Sequence, residues 1–382
     1  MTTINLLRGC FLNRNWWQNR PHRVTLSDHR ERRVPRITAC QRRFQGFFVA
    51  VLLRMTSKKQ ALSSCFCRLR TLGLVGVVLL TLLAFPKIVL AHPGEPPEPH
   101  DLWSAWNLEP TLLSSLAFVA LIYGLGIGAL WKRAGPGRCI QRWRVMAFAG
   151  GWLALHVALV SPLDASGKAL FSAHMVQHLV LILIAAPLLV SGSPLIAFLW
   201  ALPTRKSRHT VGRWWRNAGS ARAAWAALSQ PLLVWFLYAF FLWIWHLPSL
   251  YQAALDSQWI HDIEHLSFLG TALLFWWTLI QPAGPRRLSY GAGILFVFTT
   301  ALHSSVLGAL ITFAQTILYP AYVSTVPAWG LTPLEDQQLA GLIMWIPPGV
   351  LYLLIALTLF ALWLHAVEAR VKRRENRLAA LS

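Results

Sequence analysis

The chain has 382 residues, 55% hydrophobic, 12% aromatic and only 13% charged, with a mean hydropathy of +0.48 and a formal net charge of +21. Soluble domains carry roughly a quarter charged residues, so this composition excludes an ordinary water-soluble protein and points to a membrane protein. The basic excess does not imply nucleic acid, because the Lys and Arg residues flank long apolar runs, which is the pattern of membrane topology.

Residues 1–54 are Arg-rich, acid-poor and without helical periodicity. They read as an extension or a mis-called start, with Met55 as the true beginning; Arg42-Arg43-Phe44 is only a faint twin-arginine signal. Residues 55–91 have the order of a secretory signal peptide: Lys58, Lys59, Arg68 and Arg70, then the apolar run Leu72 to Phe85, then Val89-Leu90-Ala91 with small residues where signal peptidase needs them. Cleavage there exposes His92; the alternative is an uncleaved helix from Leu72 to Leu90. Cys10, Cys40, Cys65 and Cys67 all precede the cut, which leaves Cys139 as the remaining thiol and rules out an internal disulfide or thiolate cluster. Residues 92–111 form a Pro-rich extracytoplasmic tail whose His92, Glu95, Glu98, His100 and Asp101 offer at most loose metal capture.

A bilayer core of about 30 Å needs roughly 20 apolar residues in a helix. Seven stretches qualify within residues 112–364: Leu112 to Trp131, Trp143 to Val160, Leu170 to Val190, Pro231 to His246, Trp259 to Ile280, Gly291 to Leu318 and Leu339 to Leu364. The fourth is short unless it reaches back to Leu228, and Ser193 to Leu202 is apolar but too short to span alone. Past residue 91, every Lys and Arg except Lys168 falls in the loops on one side or in the basic tail, residues 365–382. That side is cytoplasmic by the positive-inside rule, with the N-terminus outside and the C-terminus inside. Trp103, Trp106, Trp245, Trp259 and Trp329 mark one interface, and Trp131, Trp143, Trp276, Trp277 and Trp363 the other. Gly124 with Gly128, and Gly150 with Gly151, would allow close helix contact. The expected fold is therefore an all-α polytopic bundle of seven transmembrane helices.

The histidines gather on the outer side. His156, His178 and His265 fall roughly 6 to 12 Å below that interface at about 1.5 Å per helical residue. His174 with His178, and His261 with His265, are i, i+4 pairs, which set two imidazoles about 40° apart around a helix and one turn apart along it, a spacing that can chelate one metal. His246 ends the fourth span beside this layer. A lone intramembrane His, including His156 and His303, is as readily an interhelical hydrogen-bonding group; the repetition of the pair carries the metal reading. Asp262 and Glu264 are positioned to fix imidazole tautomers or to act as ligands. With Met175 and Met344 as thioethers and no cysteine nearby, the donor set suits copper, with zinc or iron as alternatives; Met175 is otherwise core filler. Pro347-Pro348 removes two helical hydrogen bonds and is expected to kink the last span.

Four stretches share an ordered pattern: H-M-V-Q-H-L-V-L with the following A-P-L-L-V-S-G-S-P, W-H-L-P-S-L-Y-Q-A-A-L, H-D-I-E-H-L-S-F-L-G, and D-Q-Q-L-A-G-L-I-M-W-I-P-P-G. In these the chain resembles the polytopic CtaG family of cytochrome c oxidase assembly factors, distinct from the single-span copper chaperone that shares the name. The likeness runs from Leu102 to about Leu364. It implies a role in maturing a haem-copper oxidase at its copper centres, and it carries over His174, His178, His246, His261, His265 and Asp336.

The expectation is thus a multi-pass protein of the bacterial cytoplasmic (inner) membrane, with the lipid bilayer and haem-copper oxidase subunits as partners. It would hold and deliver copper through His174, His178, His246, His261, His265, His156, Met175 and Met344, with Asp262, Glu264 and Asp336 steadying the ligands. No nucleophile, nucleotide loop or acid–base dyad is apparent, so an enzyme is not expected. The rival readings are a b-type haem or quinone redox protein, a metal-free assembly scaffold, and a metal permease.

Overall fold

Proline punctuates the starts of the helices, where its missing N–H costs nothing and its fixed φ suits the first turn. The computed structural model describes residues 96–280 and 288–380. The signal sequence, the extension before it, and Arg286 and Arg287 lie outside the described residues. Helix α1 (Pro110–Ala134) starts on Pro110 and ends at Gly135, whose φ of 94° is open to glycine; the Gly135 N–H closes back on the Trp131 carbonyl. Helix α2 (Arg142–Leu159) is followed by α3 (Pro162–Ala169), where the Ser161 hydroxyl accepts from Leu163 N–H and Pro162 takes the first turn. The two meet at 41°.

The third span is α4 (Phe171–Leu179), a wider π turn over Val180–Ala185, and α5 (Ala186–Ser191). Pro187 lacks an N–H for the carbonyl one turn back, and the ladder loosens just before it. Ser193 at φ 55° then turns the chain into α6 (Pro194–Ala201), so the short apolar segment is a helix of its own. Helix α7 (Arg205–Asn217) opens with a Thr204/Ser207 capping box and presents a basic face. Helix α8 (Gly219–Leu228) leads into α9 (Pro231–Trp245) at a 64° bend, followed by the short α10 (Pro248–Asp256). Helices α11 (Gln258–Ile280), α12 (Tyr290–Thr312) and α13 (Pro333–Ala379) complete the bundle.

No strand occurs among the described residues. Among the described residues, five helical runs are long and apolar enough to cross a membrane, and seven if each bent pair is one span. The protein is a multi-pass membrane helix bundle. Two helices end elsewhere than the sequence leads one to expect. Span six stops at Thr312 instead of Leu318, because Gln337 draws the chain back: its Oε1 accepts from Leu318 N–H at 2.7 Å and its Nε2 donates to Thr316 O at 3.1 Å. The last helix carries Pro347 and Pro348 in its interior and runs on through the basic tail to Ala379 instead of ending at Leu364.

Two apolar cores share the third span. Its Met175, Ile182 and Ala186 face a core with Tyr238, Phe275, Trp276 and Tyr352, while its Leu181, Ala185 and Leu189 face a second core with Leu130, Phe148 and Ala158. Close approach in the second core falls at Gly126, not at Gly124 or Gly128: a Cβ on Gly126 would sit 1.9 Å from the Ala197 carbonyl oxygen of α6, whereas the other two face open space. Gly151 of the expected pair does lie tight, 2.8 Å from Leu189 N by the same construction. Trp245 and Trp276 are core residues instead of interface anchors, because their indole N–H groups find partners inside, Ser267 Oγ at 2.7 Å and Ile182 O at 2.8 Å.

Candidate metal centre

Helix α4 begins without a cap of its own, since Leu170 has no side-chain acceptor for the first N–H groups. Asp336, in the first turn of α13, supplies it from across the bundle. Its Oδ2 accepts from Phe171 N–H at 2.7 Å, and its Oδ1 from Ser172 N–H at 3.3 Å and from the Ser172 hydroxyl. A carboxylate at a helix N-terminus also meets the positive end of the dipole. Asp336 thereby fixes the start, and with it the rotation, of the helix that carries His174 and His178.

On α11, His261, Glu264 and His265 fall within about 100° of helical arc, so all three face the same way. The two faces meet. His174 Nε2 and His178 Nε2 are 2.9 Å apart, and the ring centroids of His174 lie 5.5 Å from His261 and 5.9 Å from His265. Glu264 Oε2 is 3.8 Å from His174 Nε2, and Oε1 is 3.7 Å from His178 Nε2. Donor atoms of His174, His261 and His265 all lie within 4.8 Å of one another, as do those of His174, His178 and Glu264. All five side chains are buried, Glu264 with 0% exposure. Neither Glu264 oxygen receives a hydrogen bond, and His178 Nδ1, His261 Nδ1 and His265 Nε2 are likewise without partners. A buried carboxylate with no donors is costly unless a cation meets it, and the donors fit a metal ion.

The remaining expected residues separate. His246 is one helix away from the cage: its Nδ1–H donates to Leu242 O at 2.6 Å, which leaves the Nε2 lone pair facing Met175 Sδ at 3.5 Å. His246, Met175, Met344 and His178 line a cavity of about 30 Å³ beside the cage. His156 does not join either group, because its Nδ1–H donates to Trp152 O at 3.0 Å and its ring packs on that indole. Asp262 does not reach the cage face; it is exposed, about 100° round the helix from His261, and accepts from Gln258 Nε2 at 2.9 Å. His303 packs against Trp235 on α9, away from the cage.

Several groups around the cage have no signal in the sequence pattern. Gln177, wholly buried, donates to Ala158 O at 2.9 Å and to Asp164 Oδ1 at 2.7 Å, tying α4 to the α2–α3 bend. Tyr322 donates to Gly167 O at 2.9 Å and receives the Tyr251 hydroxyl at 2.5 Å, while Tyr319 donates to His246 O at 2.9 Å. With Phe171 these tyrosines cover the cage, and Tyr251 lies 5.3 Å from the His174 ring. Tyrosines in apolar runs look like filler; the loop that brings Tyr319 and Tyr322 back has no periodicity to announce it.

The cytochrome c oxidase caa3 assembly factor (Caa3_CtaG) family model matches residues 121–366, which include every cage residue. The chain belongs to this family. Among curated proteins, this family member is 28% identical over 288 residues to uncharacterized proteins of Mycobacterium bovis and Mycobacterium tuberculosis, and 28% identical over 291 residues to one of Mycobacterium leprae. Each alignment covers 75% of this chain and 43% of the relative, so the chain spans less than half the length of the curated relatives it matches. No solved structure matches this family member.

Proposed function

We propose that this caa3-type assembly factor holds a copper ion in the cage of His174, His178, His261, His265 and Glu264 and passes it to a subunit of the oxidase being assembled. The observation that carries the reading is Glu264: a carboxylate with 0% exposure and two oxygens without hydrogen-bond donors, 3.8 and 3.7 Å from the His174 and His178 Nε2 atoms of the facing helix. A metal cation would offset the cost of burying such a group in an apolar bundle. His174 and His178, one turn apart on α4, bring their Nε2 atoms within 2.9 Å of each other, and imidazole nitrogens at that spacing would suit copper. Beside it, the thioethers of Met175 and Met344 with the His246 Nε2 lone pair suit the softer Cu(I). Donor atoms that lie within 4.8 Å of one another leave room between them for one ion and not for a macrocycle, which favours copper over a b-type haem. The loop charges support an extracytoplasmic position for the cage in a bacterial inner membrane.

Elemental analysis of detergent-purified protein, paired with its visible spectrum, tests this directly. Copper near one equivalent without a haem band is expected, and a haem band or no metal would overturn it. In cells, His178→Ala with His265→Ala should abolish oxidase activity; full activity would instead favour a metal-free scaffold.

A further inference from the structure

A crevice of about 330 Å³ opens beside the cage, between the first turns of α1, the α2–α3 bend and the start of α11. Its polar lining includes the carboxylates of Glu109, Asp164 and Asp262, and His261 and His265 also line it. Glu109 and Asp262 are exposed, whereas the two imidazoles are more than nine-tenths buried. Asp164 is held by Asn107 Nδ2 at 3.0 Å and Gln177 Nε2 at 2.7 Å. Both imidazoles keep an unpartnered nitrogen, Nδ1 of His261 and Nε2 of His265, and both belong to the cage. Three acids stand there against one lysine of this region, Lys168 on α3.

We propose that this crevice is the port through which a hydrated copper ion enters and leaves the cage. Carboxylates concentrate a hydrated cation at the mouth, where low-dielectric walls focus their field. His261 and His265, shared between crevice and cage, then exchange its waters for imidazole nitrogen, the donor that suits copper better than carboxylate does. Asp164 has a second part, since its bonds to Asn107 and Gln177 brace the mouth against α4 and the lead into α1. The opening lies between helices, so the cation is offered sideways, where another membrane subunit can take it. This inference rests on the cage reading above.

The test uses the full chain in lipid nanodiscs and Cu(II) moved from, and back to, a coloured chelator, followed by stopped flow. Ser115 lines the crevice at an exposed position and bonds only its own helix, at Leu112 O, so Ser115→Trp plugs the opening without emptying a core. It should slow loading and stripping at least about tenfold while leaving the equilibrium affinity within about twofold. Glu109→Gln with Asp262→Asn keeps the shape and should slow loading a few-fold, with a flatter dependence on ionic strength. Wild-type exchange rates in the plugged variant, or an unchanged salt dependence in the neutralised one, overturn the port and leave the cage standing. A wild-type protein that takes up no copper overturns both.

Discussion

Asp336 and Glu264 are both fully buried carboxylates, and both face the same helix, α4, Asp336 at its start and Glu264 at His174 and His178. Asp336 accepts three hydrogen bonds from Phe171 and Ser172, while Glu264 accepts none and faces the imidazoles of His174 and His178. The first is saturated by the fold, so its charge has structural work to do at a helix terminus. The second is left without a hydrogen-bond donor by the fold, and it is this carboxylate that the proposed copper ion would meet. Burial alone would have ranked the two as equals; the count of donors separates them.

The contrast is broken most severely by removing imidazoles. His174→Ala with His265→Ala should lower copper affinity on the order of a thousandfold or more in a chelator competition, since two ligands go at once while Asp336 and the helix start stay intact. Next in size, Asp336→Asn presents an amide where donors already crowd, and should destabilise the protein by about 2–3 kcal/mol in detergent unfolding, with copper retained by the folded fraction. Glu264→Gln should act with the opposite sign: the metal-free protein gains about 1–2 kcal/mol because a buried charge is gone, while copper affinity falls about tenfold. Equal destabilisation by the two amide variants would erase the distinction between the carboxylates. The smallest change is expected from Met175→Leu with Met344→Leu, which nearly conserves volume: Cu(II) binding stays within about twofold and Cu(I) binding weakens a few-fold, read by anaerobic competition.

Apolar length made the spans legible, and loop charge suggested which end carries the histidines. The i, i+4 spacing brought out two chelating pairs, because helical geometry alone places such residues on one face. What periodicity could not say was which lone residues join them. Counting residues along the second span puts His156 at the expected depth of the cage, but its ring is held by the Trp152 carbonyl of its own helix. Asp262 and Glu264 are two positions apart in sequence, and only the helical arc decides that Glu264 faces inward. The pairing of Asp336 with α4 spans 165 residues and is a tertiary fact no local pattern contains. Gln337 is a similar case, for its side chain ends span six early by bonding the loop backbone.

The last helix has a reach that follows from its length. At 47 residues and about 1.5 Å each it extends roughly 70 Å, against about 40–45 Å for a bilayer with its headgroups. Ordinary tilt does not absorb that excess. Its final turns, with Arg370, Lys372, Arg373, Arg374 and Arg377, therefore stand clear of the lipid as a stiff positive mast, in contact range of whatever approaches from the aqueous phase.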